Sequence, residues 1–232
     1  MLRPAADGTY EVGTTRGPAR VHLRAAVGRK VRATLVLGHG AGRGTDTADL
    51  QAIATELPAS GVTVVLVDQP WVVAGRRVAT PAATLDDGWI QALAWLRDNG
   101  IVTKRARLTV GGRSTGARVA CRTAAAVDAD ALLLLAFPLL PPAARKDPER
   151  AAKALDIRVG EWQSAGERPV VLVQGERDAF GSPDEVLTAL AALGLPRPEV
   201  VAVAGADHSL RLRTPGARGS LVAAALRATL GD

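Results

Sequence analysis

The sequence is poor in the residues that build disulfide frameworks and metal sites. Among its 232 residues there is one cysteine, Cys121, which excludes an intramolecular disulfide and a cysteine-built zinc site. Three histidines are present, His22, His39 and His208, so any mechanism that needs an imidazole has three candidates. We therefore expect neither a metal nor a cofactor.

Long apolar runs are also missing. The longest, residues 131–140, is about half the length of a membrane span and is interrupted by Pro138. The first residues lack the apolar core of a secretory signal. These two features predict a cytoplasmic protein with no membrane contact.

The charge is basic but scattered. There are 29 basic and 23 acidic side chains, a formal net charge of +6, and nearly all of the basic ones are arginine. Short basic clusters occur at residues 76–77 and 104–107, and we find no extended basic stripe. Because binding of nucleic acid requires clustered positive charge, this pattern argues against a nucleic-acid partner.

Six apolar runs alternate with helix-like segments. The runs are residues 33–37, 62–67, 107–110, 131–137, 170–174 and 200–204. They are continuously apolar, which is typical of parallel strands covered by helices on both faces. Residues 10–12 and 21–26 precede them and predict an antiparallel hairpin. We predict an α/β fold with one doubly wound, mostly parallel sheet in a single domain, residues 1–232.

Helix signals fall between the strands. Residues 47–57 and 217–230 have helical patterns, and Thr84 and Ser182 are candidate N-caps of two further helices. Residues 138–168 separate the fourth and fifth parallel strands and have room for one helix, at 148–155. We interpret that segment as a short lid-like insertion over an open cleft.

One motif points to a nucleophile. Residues 112–116 read GRSTG and match G-x-S-x-G, directly after an apolar strand and before a helical segment at 117–127. This context is typical of a nucleophile elbow, in which Gly112 and Gly116 leave room for a sharp turn at Ser114. A glycine-rich turn that binds phosphate is the alternative.

The loops after two later strands supply a base and an acid. His208 follows the sixth strand and Asp178 follows the fifth, in the chain order nucleophile, acid, histidine. Glu176 is a rival acid. Asp207 is less suited to orient its neighbour His208, because adjacent side chains on an extended segment diverge.

An oxyanion site requires backbone N–H donors. We assign one donor to Thr115, after the nucleophile, and a second to Ala41 in the loop after the first parallel strand, with Gly42 as the alternative. His39 in the same loop is interpreted as a structural brace, and His22 as a surface residue.

Several large side chains are candidates for the lining of the substrate pocket. Its apolar side is assigned to five residues, Trp71, Leu139, Leu140, Trp162 and Phe180, whereas Trp89 and Trp95 have helical spacing typical of a core. Arg113, beside the nucleophile, favours an anionic substrate if it faces the mouth of the pocket. A solvated arginine is the alternative.

The chain resembles the α/β-hydrolase superfamily over nearly its whole length. It is most similar to a dienelactone-hydrolase-like branch whose relatives include a subunit of a chromatin acetylation complex and a testis-expressed homologue. The motifs are GHGAG at 38–42, GGRSTGARVA at 111–120, LLLLAFPLLPP at 132–142, VLVQGERDAFG at 171–181 and VAGADHSL at 203–210. The resemblance implies a Ser114–Asp178–His208 triad. Relatives often read YPLHPP at the segment that corresponds to residues 137–142. This chain reads FPLLPP there, so Leu140 stands in place of the histidine.

Three functions follow from these patterns. The first is a serine hydrolase that resembles carboxylesterases, thioesterases or lactonases and acts on a small acyl substrate through an acyl-enzyme. The second is a catalytically silent interaction module of the same fold. The resemblance to chromatin-complex relatives and the net charge of +6 favour this function. The third is a peptidase or C–C hydrolase with the same triad.

Overall fold

A computed structural model describes residues 7–28, 30–42, 44–76, 80–212 and 216–231. Its strands form one eight-stranded sheet in the order β1-β2-β4-β3-β5-β6-β7-β8. The strands are β1 Gly8–Val12, β2 Ala19–Arg24, β3 Ala33–Gly38, β4 Val62–Asp68, β5 Arg107–Arg113, β6 Ala131–Leu135, β7 Val170–Gly175 and β8 Glu199–Val203.

The strand directions confirm the predicted fold. Strand β2 pairs antiparallel with both β1 and β4. All the pairs from β4 through β8 are parallel. The predicted antiparallel lead-in and the six predicted parallel strands are therefore present in one mostly parallel sheet.

Helices cover both faces of the sheet. On one face of the sheet, Leu132 and Leu134 of β6 share a core with the apolar residues of two helices. These are α3, Ala82–Asp98, and α4, Thr115–Thr123. Leu133 and Leu135 point to the opposite face. They meet α1 and α7 there, Ala48–Glu56 and Ala217–Leu230. Alternation along a fully buried strand explains why β6 reads as an unbroken apolar run.

The remaining α-helices of the described chain are α2 Pro70–Val73, α5 Pro148–Gln163 and α6 Pro183–Ala191, and short 3₁₀ helices occur at Leu57–Ser60 and Ala144–Lys146. Ser182 caps α6 as predicted. Its Oγ accepts the Glu185 amide, and its own amide donates to the Glu185 carboxylate. Thr84 does not cap α3, because the Pro81 carbonyl already accepts the amides of Thr84 and Leu85. None of the described helices has the length and apolarity to cross a membrane.

The segment at 138–168 differs from its prediction. Its helix α5 runs to Gln163 and packs against α4, whereas the expected helix ended at residue 155. Val159 and Trp162 near the end of α5 are buried, and the Trp162 ring meets Phe137 edge-on with centroids 5.0 Å apart. The second half of α5 is thus anchored to the core.

Candidate active site

Ser114 lies at a strained turn between β5 and α4. Its backbone has φ 51° and ψ −107°, a conformation that non-glycine residues rarely adopt. A Cβ at Gly112 would lie 2.4 Å from the Gly38 carbonyl oxygen, and one at Gly116 would lie 2.6 Å from the Gly38 carbonyl carbon. Both positions therefore require glycine, and the turn has the shape that the motif predicts.

The structure brings the three predicted catalytic side chains together. Ser114 Oγ is 2.9 Å from His208 Nε2, and His208 Nδ1 is 2.8 Å from Asp178 Oδ2. The Phe180 ring lies over the imidazole with centroids 4.2 Å apart. With the Nδ1 proton donated to Asp178, a neutral His208 presents a free lone pair on Nε2 to the serine hydroxyl.

Asp178 is fixed by three donors. Its side chain is fully buried. Besides His208, it accepts the amide of Phe180 at 2.8 Å on Oδ1 and the side-chain amide of Gln174 at 3.0 Å on Oδ2. A buried carboxylate needs such hydrogen-bond partners, and these three donors fix the position of the acid.

Gln174, at the end of β7, was not singled out by the sequence reasoning. It is completely buried. Its Oε1 accepts the Phe137 amide at 2.9 Å, and its Nε2 lies 2.7 Å from the Gly181 carbonyl oxygen. Gln174 therefore joins the loops after β6 and β7 to the acid. A polar residue closing an otherwise apolar strand, four positions before Asp178, was the available signal.

The two rival acids lie elsewhere. Glu176 accepts the backbone amide of Gly205 at 2.9 Å, and Asp207 accepts the amide of Ser209 at 2.9 Å. Within the described residues, the carboxylate hydrogen-bonded to the His208 ring is that of Asp178.

The predicted oxyanion donors border the same space as Ser114. Ala41, Gly42 and Thr115 all line the cavity in front of the serine. Thr115 is the first residue of α4, and the first amides of a helix have no intrahelical acceptor. The position of Thr115 is consistent with the predicted first donor, and Ala41 and Gly42 both border the cavity as candidates for the second.

The other two histidines have different surroundings. His39 is buried, with Nδ1 2.8 Å from the Gly40 carbonyl oxygen, while its Nε2 accepts the Gln69 amide at 2.9 Å. It braces the loop as expected. His22 is partly exposed, as predicted for a surface residue, and its Nε2 lies 2.9 Å from Asp68 Oδ2.

The cavity at Ser114 has a volume of about 270 Å³. Its lining residues are Ala41, Gly42, Arg113, Ser114, Thr115, Arg118, Pro138, Pro141, Arg158, Phe180 and His208. Of the predicted pocket residues, Arg113 and Phe180 are among them. Trp71, Leu139, Leu140 and Trp162 are not, and Trp162 is buried against Phe137.

Packing explains these corrections. The Trp71 ring lies tilted against His39, with centroids 5.5 Å apart, and lines a separate cavity of about 170 Å³. Leu139 is buried against Gly181, where a Cβ would lie 2.9 Å from it. The backbone of Leu140 is fixed by its amide, which donates to the Phe180 carbonyl at 2.7 Å, and its side chain does not line the cavity at Ser114.

Arg113 is a brace and carries a balanced charge. One of its Nη atoms donates to the His208 carbonyl at 2.8 Å, and its Nε lies 3.2 Å from Asp49 Oδ2. The Asp49 side chain is buried. Arg113 thus ties the histidine loop to the elbow, and its charge is matched within the protein.

A buried ion-pair network next to the cavity was missed. Glu161 on α5 accepts two bonds of 2.7 Å from Arg118 and one of 2.8 Å from Arg122, both on α4. Burial alone would raise the pKa of Glu161, but these arginines and Arg158 outweigh it and hold that pKa below its usual range. Arg118 and Arg122 are four residues apart, which predicts a shared helix face, but not its partner.

Metal binding finds no support in the side-chain arrangement. Across the residues that the structure describes, no three histidine, cysteine, aspartate or glutamate side chains are grouped so as to hold an ion. Cys121 lies in the core on α4, where burial raises the pKa of its thiol.

Solved structures share this fold at low sequence identity. A serine hydrolase without a lid from Xanthomonas campestris has a TM-score of 0.73 and 20% identity, covering 98% of this chain and 97% of that chain. Dienelactone hydrolase from Anabaena variabilis has a TM-score of 0.70 and 18% identity over 97% of both chains. A hyperthermophilic esterase from Pyrobaculum calidifontis has a TM-score of 0.66 and 18% identity, covering 94% of this chain and 82% of that chain.

Sequence comparison gives the family. No curated protein matches the chain significantly, and the chromatin relationship stays a prediction. The family model for an alpha/beta hydrolase domain matches residues 31–225, which include the elbow, the acid loop and the histidine loop. Because it spans more than half of the sequence, this match shows that the chain belongs to the alpha/beta hydrolase domain family.

Proposed function

We propose that this chain is a serine hydrolase that cleaves small carboxylic esters, thioesters or lactones through an acyl-enzyme on Ser114. The observation that carries the proposal is the continuous hydrogen-bonded line from Ser114 Oγ through His208 to the buried Asp178, with contacts of 2.9 and 2.8 Å. A serine hydroxyl is too weak an acid to react alone at neutral pH, and this line supplies its base.

The proposed reaction has two halves. As Ser114 Oγ attacks the carbonyl carbon, His208 Nε2 takes the hydroxyl proton, and Asp178 stabilises the imidazolium. The amides of Thr115 and Ala41 stabilise the oxyanion, and His208 then protonates the leaving alcohol or thiol. Water, deprotonated by His208, attacks the acyl-enzyme and releases the carboxylic acid.

The size of the cavity and the named relatives support small esters over peptides. A cavity of about 270 Å³ suits a small acyl group. Two proteins of similar fold are named as a dienelactone hydrolase and an esterase. Since the fold alone does not decide activity, the substrate class must be measured.

The test combines a covalent probe with a substrate panel. We expect a fluorophosphonate probe to label the wild-type protein and not Ser114→Ala, and we expect turnover of p-nitrophenyl esters, a thioester or a lactone by the wild type alone. A folded wild-type protein that takes no label and turns over no ester would overturn the proposal and favour the silent interaction module. Turnover of peptides in preference to esters would favour the peptidase.

A further inference from the structure

The cavity at Ser114 has an arginine-rich wall. Arg118 on α4 and Arg158 on α5 line it, and both lie next to the buried Glu161. The Arg118 amide donates to the Ser114 carbonyl at 3.2 Å, so Arg118 lies one helical turn from the nucleophile. Arg118 and Arg158 lie on α4 and α5, whereas His208 lies in the loop after β8.

The carboxylates behind this wall are already occupied. Asp86 accepts two bonds from Arg122, at 2.8 and 2.6 Å. Both oxygens of Glu161 accept from Arg118, and one of them also accepts from Arg122. Three guanidinium groups thus share two carboxylates, which leaves one positive charge in excess.

Arg158 carries that excess. Its nearest carboxylate contact is an Nη1 to Glu161 Oε2 distance of 3.6 Å, too long for a hydrogen bond. Its Nε is buried and has no hydrogen-bond partner among the described residues. Burial, and then repulsion from Arg118, lower the pKa of the Arg158 guanidinium despite the attraction of Glu161. Arg158 is half-buried, and a partly desolvated cation with an unused donor is stabilised when an anion pairs with it.

The rest of the cavity offers no competing anion. Among the described residues that line it, the charged or titratable side chains are Arg113, Arg118, Arg158 and His208. Arg113 is paired with Asp49, and His208 with Asp178. The remaining lining side chains, including Pro138, Pro141 and Phe180, are mostly apolar, so an anion entering the cavity would meet Arg158 in surroundings of low polarity.

We propose that Arg158, with Arg118, binds a carboxylate on the acyl part of the substrate, so that the preferred substrates are monoesters of short dicarboxylic acids. The inference rests on the proposed function. The leaving group must lie beside His208, which protonates it, and the arginine wall therefore receives the acyl part. Hydrolysis then adds water across the ester bond and releases an alcohol and the free dicarboxylic acid.

The test compares matched neutral and anionic esters. The p-nitrophenyl monoesters of glutarate and adipate are compared with p-nitrophenyl valerate and hexanoate, which have the same chain lengths without the carboxylate. We expect the wild type to have the higher kcat/KM for the anionic esters. Arg158→Gln should lower kcat/KM for the anionic esters by about 10- to 100-fold, as expected for loss of a charge-assisted bond, and leave the neutral esters within about twofold.

The control variants separate specific recognition from charge and stability. Arg150→Gln removes an arginine from the solvent face of the same helix, where the side chain is 79% exposed, and should change neither class of ester. Arg158→Lys keeps the charge without the forked donor and should restore part of the preference. Added salt should reduce turnover of the anionic esters selectively.

The outcomes distinguish this inference from the proposed function. If neutral esters are hydrolysed but the anionic ones are no better, or if Arg158→Gln slows both classes equally, the carboxylate site is wrong while the hydrolase stands. If no ester is hydrolysed and no probe labels Ser114, the proposed function fails and takes this inference with it.

Discussion

The described part of the chain contains two histidine–aspartate pairs with similar hydrogen-bond distances. His208 lies 2.8 Å from Asp178 and 2.9 Å from the Ser114 hydroxyl. His22 lies 2.9 Å from Asp68 and 3.1 Å from the Thr9 hydroxyl. Each imidazole therefore joins a carboxylate to a hydroxyl.

The two pairs differ in how the hydroxyl is held. Thr9 and His22 are direct partners across the antiparallel strands β1 and β2, so their contact follows from ordinary sheet register. Ser114 instead lies at a strained turn with glycine on both sides and a helix N-terminus behind it. The ring nitrogens are also reversed, since His22 presents Nε2 to its acid and His208 presents Nδ1.

This difference shows that a hydroxyl–imidazole–carboxylate line is not sufficient for the proposed chemistry. Catalysis also needs donors for the oxyanion and space for the acyl group. The residues proposed as oxyanion donors, Thr115 with Ala41 or Gly42, line the cavity at Ser114 together with His208. The first three predictions test whether that distinction is real, and the fourth tests the structural role of the other pair.

The largest effect is expected from the two hydroxyls. Ser114→Ala should lower ester turnover by about 10⁴- to 10⁶-fold, because it removes the nucleophile. Thr9→Ala should leave kcat/KM unchanged. Initial rates on one p-nitrophenyl ester measure both variants, and comparable losses in the two would break the comparison.

Next come the two acids. Asp178→Asn should reduce kcat by about 10³- to 10⁴-fold, because the amide no longer favours the tautomer with a free Nε2 lone pair. Asp68→Asn is the matched change in the other pair and should retain full activity. Full activity of the Asp178 variant would show that His208 is oriented by another group.

A smaller effect is expected at Gln174, whose side-chain amide bonds Asp178, because Asp68 has no such amide partner among the described residues. Gln174→Met keeps the bulk of the side chain but removes its bond to Asp178. We expect kcat to fall by about 10- to 100-fold, since small misplacement of a catalytic group has effects of this order. KM should remain near the wild-type value. A larger rise in KM than fall in kcat would indicate a general change of the cavity instead.

The smallest effect concerns stability at the other pair. Burial raises the pKa of Asp68, but bonds from His22 and the Thr45 amide outweigh it and hold the pKa below its ordinary value. The ionised form therefore stabilises the fold above the unfolded pKa of about 4, and that contribution is lost as the pH falls through the lower folded value. Asp68→Asn should cost about 1 kcal/mol at pH 7 and less near pH 3.

Urea unfolding of both proteins between these pH values checks the Asp68 prediction. A free-energy difference that grows as the pH falls would have the wrong sign and would contradict it.

The sequence predicts the scaffold well because its signals are local. Continuous apolar runs reveal strands buried on both faces, as at β6, and the spacing of glycines around Ser114 reveals the elbow. The loops that follow those strands then identify Asp178 and His208, whose side chains the structure brings together.

Lateral packing is what the sequence leaves out. Trp71, which follows β4, was predicted to line the pocket, yet its ring packs against His39 and lines a separate cavity. The pairing of Arg118 with Glu161 depends on how α5 packs across α4, and that register is not encoded by spacing within either helix. Gln174 reads as the end of a strand, and its role appears only when the loop at Gly181 folds over it.

The proposed mechanism requires a covalent bond between Ser114 Oγ and the acyl group of the substrate. Mass spectrometry of the protein quenched during turnover of a p-nitrophenyl ester, with a slowly deacylating acyl group, tests it in one measurement. We predict one acyl group per chain, mapped to Ser114 and absent in Ser114→Ala. Turnover with no covalent adduct, or an adduct on another residue, would contradict the central claim.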